Sequence, residues 1–167
     1  MRLNNLMCGN MKAEHIRKVA VIGAGIMGYG IAQVCAQAGY ETSITRKRVE
    51  LLQQTLNKIK SNLQMLVERK IITKDEADDA LSNIKCKASL AEATKDADFV
   101  IEAVTENMDV KKRIFKELDE LCPEHTILAT NTSSFSITEI ASVTDRQDKV
   151  VGTHWWNPPY LMPCLLY

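Results

Sequence analysis

Neither sign of charge predominates in this chain of 167 residues, because 21 lysines and arginines balance 21 aspartates and glutamates. Proteins that bind nucleic acid or acidic membranes through bulk charge usually carry a basic excess. The neutral balance therefore argues against both partners. Internal repeats and low-complexity tracts are also absent, and the mixture of 46% hydrophobic and 25% charged residues is typical of a soluble globular domain.

Features of secreted, metal-binding and membrane-spanning proteins are missing as well. The five cysteines include no C-x-x-C pair, which argues against a zinc site or a disulfide framework and favours isolated buried thiols. The N-terminus lacks the apolar core of a secretory signal, and the uncharged stretch 19–40 is too rich in glycine and glutamine for a membrane span. We predict a cytoplasmic protein without a metal, with a loose leader at 1–15 and one domain at 16–167.

Short apolar runs alternate with helical patterns along the rest of the chain. The predicted strands are 18–22, 42–45, 98–104, 126–129 and 149–152. The predicted helices are 28–39, 52–66, 74–82, 109–121 and 137–142. This alternation predicts an α/β fold with a doubly wound parallel sheet of the Rossmann type. Segment 48–84 is longer than an ordinary crossover, so we expect an inserted helical hairpin there.

A glycine motif follows the first predicted strand. Residues 23–28 read GAGIMG and fit G-x-G-x-x-G, with a helical pattern directly after them. In a dinucleotide site, Gly23 would permit the tight turn, Gly25 the approach of a pyrophosphate, and Gly28 close packing of helix on strand. The helix N-terminus at Ile26 and Met27 would offer N–H groups to the phosphates. The alternative is a glycine turn that serves packing alone.

The residue after the second predicted strand is a cation. NAD-binding units usually place Asp or Glu there, which accepts hydrogen bonds from the ribose hydroxyls. Arg46 cannot accept such a bond, but a guanidinium can pair with a 2′-phosphate. Two interpretations stay open: the cofactor is NADP, or Arg46 is a solvated charge and the cofactor is NAD.

Three more polar segments follow later predicted strands. They read EAVTEN at 102–107, TNTSS at 130–134 and HWWNPP at 154–159. Together with the glycine motif and the helical insertion, they closely resemble the N-terminal NAD-binding domain of the 3-hydroxyacyl-CoA dehydrogenase family, over about residues 17–162. The resemblance implies hydride transfer from C3 of an (S)-3-hydroxyacyl-CoA to a nicotinamide cofactor, which yields a 3-oxoacyl-CoA and makes acyl-CoA the expected substrate.

The resemblance also implies roles for single residues. His154 matches the family's catalytic base, Ser133 the serine that hydrogen-bonds the substrate oxygen, and Asn157 the asparagine near the nicotinamide. The remaining matches are contacts to the cofactor or its loop: Glu106, Lys111 and Asn131. From the residues alone, Ser133 and Asn131 could instead be turn or cap residues of the helix at 137–142.

Two departures from the family pattern bear on activity. The family pairs its histidine with a glutamate twelve residues later, where this chain has Leu166. The family's helical C-terminal domain is absent from the 167 residues. Whether the chain turns over by itself is therefore left open. It could be a dehydrogenase or its N-terminal half, completed by a separate chain or by homo-oligomerisation. It could be a non-catalytic dinucleotide-binding module or truncated remnant, or a relative that acts on a sugar acid or carnitine.

Overall fold

A seven-stranded sheet forms the centre of the computed structural model, which describes residues 13–162, 165 and 166. The strands in chain order are β1 (Lys18–Ile22), β2 (Glu41–Thr45), β3 (Ile84–Cys86), β4 (Phe99–Glu102), β5 (Ile127–Thr130), β6 (Val150–His154) and β7 (Leu165–Leu166). They lie in the order β3-β2-β1-β4-β5-β6-β7. The first six are parallel and β7 pairs antiparallel with β6. This order confirms the predicted doubly wound sheet.

Helices cover both faces of the sheet. The described residues contain α1 (Ile26–Gln37), α2 (Leu52–Glu68), α3 (Lys74–Ser82), α4 (Leu90–Thr94), α5 (Met108–Leu121) and α6 (Ile137–Ala141). Short 3₁₀ helices occupy Ala13–His15, Val49–Leu51 and Gln147–Lys149. Across the part of the chain that is described, no helix is both long enough and apolar enough to cross a membrane.

The two faces of β1 belong to different hydrophobic clusters. Val19 and Val21 pack in one cluster with α1, α2 and α3, whereas Ala20 and Ile22 pack in the other with α4, α5 and α6. All four side chains are buried. A strand covered by helices on both sides needs an uninterrupted apolar run rather than an alternating one, which explains the sequence of β1.

The expected helical hairpin is formed by α2 and α3. The buried residues of α2 include Leu52, Ile59 and Leu63, which recur at helical spacing on one face. The N-terminus of α3 carries a capping box, in which the Glu76 N–H donates to Thr73 Oγ1 at 3.2 Å and the Thr73 N–H donates to Glu76 Oε2 at 2.7 Å. The reciprocal cap fixes where the second helix of the hairpin begins.

Several short elements depart from the predicted pattern. The hairpin ends at Ser82, and β3 follows it at the edge of the sheet, where no strand was predicted. Helix α4 was also missed because its five residues are too few to show a helical period. The strand predicted at 98–104 ends at Glu102, after which the chain turns into a loop. The predicted leader at 1–15 lies almost wholly outside the described residues.

Candidate functional site

The glycine turn lies between β1 and α1, against the ends of β2 and β4. Gly23 has φ +105° and its N–H donates to the Thr45 carbonyl oxygen at 2.9 Å. A Cβ at Gly23 would lie 2.5 Å from the Ala103 carbonyl oxygen, and one at Gly28 would lie 1.8 Å from the Gly23 carbonyl oxygen. Packing therefore demands glycine at both positions, as the motif predicts.

Gly25 differs from its two neighbours in the motif. A Cβ at Gly25 would meet no heavy atom of the described part of the chain within 4 Å. The residue is the N-cap of α1 and has no side chain with which to satisfy the first N–H groups of the helix, at Ile26 and Met27. Packing does not explain this glycine, whereas the approach of a phosphate to the free N–H groups does. The turn therefore fits a dinucleotide.

An open groove of about 510 Å³ lies over this turn. Its lining comprises residues of the glycine motif, the segment 46–48 after β2 and the segment 103–105 after β4. Arg46 is half-buried, and Lys47 and Arg48 are exposed. Arg46 and Lys47 also line an adjoining groove of about 290 Å³, together with Arg113 and Glu117 of α5. Among the described residues, three cations and no carboxylate line the first groove.

The predicted catalytic serine and histidine lie side by side. Ser133 follows β5, His154 ends β6, and Ser133 Oγ is 2.9 Å from His154 Nε2. The Trp156 ring lies 5.3 Å from the imidazole, centroid to centroid, and tilted by 50°. Asn157 lies on the exposed loop after β6 and forms no described hydrogen bond to either catalytic side chain. The structure therefore brings two of the three predicted catalytic residues together.

A buried ion cluster lies beneath this edge of the sheet. Lys111 Nζ is 2.8 Å and 3.0 Å from the two carboxylate oxygens of Glu102, and 3.2 Å from Glu106 Oε2. Lys111 and Glu102 are fully buried. The three contacts use the three N–H donors of the ammonium. Two carboxylates already occupy the ammonium group of Lys111. The predicted contact of Lys111 with the cofactor stays a prediction.

Glu106 links the ion cluster to the catalytic serine. Its Oε1 accepts hydrogen bonds from Thr132 Oγ1 at 2.5 Å and from the Ser133 N–H at 3.1 Å. Burial acts to raise the pKa of Glu106, but the hydrogen bond from Thr132, the charge of Lys111 and the Ser133 N–H together hold the pKa below its ordinary value. The ionised carboxylate thus holds the backbone of the serine loop in place.

Glu102 and Thr130 also belong to this cluster, although no role was predicted for either residue. Thr130 Oγ1 donates to Glu102 Oε2 at 2.6 Å. Each residue ends a strand whose other three residues are apolar and whose middle two are buried. A charged residue at the end of an apolar strand, nine positions before a lysine on the next helix, was the available signal.

Asn131 joins two loops rather than binding to a helix end. Its Oδ1 accepts from the Trp155 N–H at 2.9 Å, and its own N–H donates to the Glu102 carbonyl oxygen at 2.9 Å. Helix α6 is capped instead by Ser136, whose side chain accepts from the Glu139 N–H. The alternative in which Asn131 or Ser133 caps this helix is therefore wrong.

The residue at the family's glutamate position lies in the last described strand. Leu166 is opposite Thr153 in the β6–β7 pair, and Leu165 is opposite His154. No carboxylate of the described residues hydrogen-bonds the His154 ring, which contacts the Ser133 hydroxyl. The imidazole is therefore oriented from one side, by the serine.

Comparison with known proteins identifies the family. The sequence model of the protein family described as 3-hydroxyacyl-CoA dehydrogenase, NAD-binding domain, matches residues 18–165 of this chain. The chain belongs to this family. The match confirms the resemblance read from the sequence motifs, and it confirms NAD as the cofactor of this type of domain.

Relatives of this NAD-binding domain are longer than the chain. A 3-hydroxybutyryl-CoA dehydrogenase of Clostridioides difficile is 46% identical over 145 residues, which cover 87% of the chain and 51% of the relative. A peroxisomal fatty acid beta-oxidation multifunctional protein of Oryza sativa subsp. japonica is 41% identical over 157 residues, which cover 93% of the chain and 21% of the relative. The chain thus spans about half or less of the length of these proteins.

Solved structures of the family share the fold. The (S)-3-hydroxybutyryl-CoA dehydrogenase PaaH1 of Ralstonia eutropha aligns with a TM-score of 0.86 and 39% identity, over 90% of this chain and 53% of that one. The relatives include a peroxisomal protein and a mitochondrial hydroxyacyl-coenzyme A dehydrogenase of Sus scrofa. The predicted cytoplasmic location therefore stays a prediction.

Proposed function

We propose that this NAD-binding domain supplies the cofactor site and the proton-accepting histidine of an enzyme that oxidises (S)-3-hydroxyacyl-CoA to 3-oxoacyl-CoA. The observation that carries the proposal is the 2.9 Å contact between Ser133 Oγ and His154 Nε2 at the carboxyl edge of the sheet. Doubly wound folds bind their ligands at this edge. Two relatives named as 3-hydroxybutyryl-CoA dehydrogenases, at 44% and 46% identity, support an acyl-CoA as the substrate class.

The two side chains suit the proton half of the reaction. Oxidation of a secondary alcohol removes the hydroxyl proton and a hydride, and when NAD is bound its nicotinamide ring takes the hydride. The imidazole of His154 can act as a general base, which accepts the proton in one direction and returns it in the other. Ser133 Oγ can hydrogen-bond the same substrate oxygen while it keeps its contact with the ring.

The first experiment follows acetoacetyl-CoA reduction through loss of the NADH absorbance band, with the full chain. His154→Gln removes the proposed proton acceptor, and we expect the rate to fall about 10²–10⁴-fold. His125→Gln is the matched control because that histidine pairs with Asp98 outside the site, at 3.2 Å. A His154→Gln rate equal to that of wild type would contradict the proposed role.

A second candidate is a dinucleotide-binding module without catalysis. It is favoured by Leu166 at the family's glutamate position and by the lack of a described carboxylate on the His154 ring. This candidate predicts NADH binding with no turnover of acetoacetyl-CoA at any enzyme concentration. Completion of the site by a second copy would instead make the specific activity rise with chain concentration. Completion by a separate chain would make turnover appear only after that chain is added.

A further inference from the structure

We propose that this domain also accepts 2′-phosphorylated dinucleotides, with Arg46 as the ligand of the 2′-phosphate, and binds NADPH at least as tightly as NADH. The inference deepens the proposed function and rests on it, because it concerns the same cofactor groove. The cofactor groove is lined by several cations, which an unphosphorylated ribose does not require.

Arg46 lines the part of the groove that adjoins the glycine turn. Thr45 is opposite Ile22 in the β1–β2 pair, and its carbonyl oxygen accepts the N–H of Gly23. Arg46 is the next residue and lines both adjoining grooves. A dinucleotide whose pyrophosphate lies over the turn places its adenosine ribose at the end of β2, where a carboxylate usually receives the 2′-hydroxyl.

The carboxylates nearest in sequence are not available to a ribose at this point. Glu41 begins β2 at the opposite end of the strand and pairs with Lys85 at 3.1 Å. Glu50 lies beyond the segment that lines the groove. Of the described acidic residues, only Glu117 lines the adjoining groove, which three cations also line. The two grooves together present four cations and one carboxylate.

The Arg46 side chain is also unpaired within the described part of the chain. It is half-buried, yet it forms no hydrogen bond or ion pair with the described residues. The exposed side chains of Lys47 and Arg48 form none with them either. A guanidinium binds the oxygens of a phosphate in a bidentate manner, and such charge-assisted bonds are about twice as strong as neutral ones. A neutral 2′-hydroxyl offers Arg46 one weak acceptor, whereas a 2′-phosphate offers three charged oxygens.

The test uses ligands that differ only in this phosphate. Calorimetric titration compares adenosine 2′,5′-bisphosphate with adenosine 5′-monophosphate, and fluorescence titration compares NADPH with NADH. For wild type we expect the bisphosphate to bind about tenfold or more tightly than the monophosphate. Arg46→Ala should remove most of this ratio, and Arg46→Asp should invert the preference between NADPH and NADH. Lys60→Ala, on the outer side of α2 and away from the groove, is the control and should leave the ratio unchanged.

The outcomes separate the inference from the proposed function. NADPH binding that is weaker than NADH binding would overturn the inference and leave the proposed function standing. A wild-type bisphosphate ratio near one, or a ratio that survives Arg46→Ala, would also overturn it. If neither dinucleotide binds, the proposed function fails together with the inference.

Discussion

Replacing Lys111 with methionine should destabilise the domain more than any exposed charge replacement on the same helix. Methionine keeps much of the length and apolar body of lysine but removes the ammonium. The change leaves Glu102, which is fully buried, without its cation. It also removes one partner of Glu106, the carboxylate that holds the Ser133 N–H.

The expected loss in the free energy of unfolding follows from the hydrogen bonds that Glu102 keeps after the change. Breaking a buried ion pair by removing one partner costs about 3–5 kcal/mol. After the change, Glu102 still accepts the Val104 N–H at 2.8 Å and the Thr130 hydroxyl at 2.6 Å. Two of its four hydrogen bonds therefore remain, and we expect a loss of about 3 kcal/mol, at the lower end of that range. That is a large share of the roughly 5–15 kcal/mol by which domains are stable.

Urea denaturation of the free chain measures this loss. Lys112→Met is the matched control because Lys112 is the next residue on α5 and pairs with Glu139, at 2.8 Å, on the surface. A surface pair contributes at most about 1 kcal/mol. The double variant Lys111→Met/Glu102→Gln should recover part of the loss, since it leaves no buried charge unpaired. Equal losses for Lys111→Met and Lys112→Met would refute the reasoning.

Three further predictions concern other parts of the domain. Because the pKa of Glu106 is lowered on folding, its contribution to stability is complete above the ordinary carboxyl pKa of about 4.3 and is lost as the pH falls through the folded value. The gap in urea midpoint between wild type and Glu106→Gln should therefore shrink below about pH 4, and a gap that grows there would contradict the assignment. Burial raises the pKa of the Cys122 thiol to about 11. Peptide mapping should therefore show slow alkylation of Cys122 in the native protein and fast alkylation in urea. Equal alkylation rates in the two conditions would disprove the raised pKa. A Cβ at Gly30 would lie 2.8 Å from the Pro159 ring, so Gly30→Val should displace the loop after β6. Both tryptophans of the chain lie on this loop, and their fluorescence emission should shift. An unchanged emission spectrum and melting temperature would argue against this contact.

The central β–α pattern could be predicted because its causes are local. The apolar run of β1 and the capping box at Thr73 and Glu76 are written in consecutive residues, and both appear in the structure as expected. Strand β3 and helix α4 were missed because three and five residues show no decisive period. Their positions depend on packing against β2 and α5, which the local sequence does not encode.

The site was predictable residue by residue but not as an arrangement. The proximity of Ser133 and His154 follows from two parallel strands that end at the same edge, so topology and motif together predict it. The role of Lys111 differs, because its two carboxylate partners come from a strand and a loop that meet only in the folded chain. The role of Asn131 also depends on the folded chain, because its side chain accepts a hydrogen bond from the Trp155 N–H on the loop after β6.

The most direct test of the central claim, that the glycine turn binds a nicotinamide dinucleotide, is NADH titration of Gly25→Val beside wild type. The backbone at Gly25 has φ −74° and ψ −165°, and the space around a Cβ is open, so valine should leave the melting temperature nearly unchanged. The side chain would occupy the approach of the pyrophosphate, and we expect NADH affinity to fall by about tenfold or more. Wild-type affinity in a folded Gly25→Val, or no NADH binding by wild type, would contradict the account.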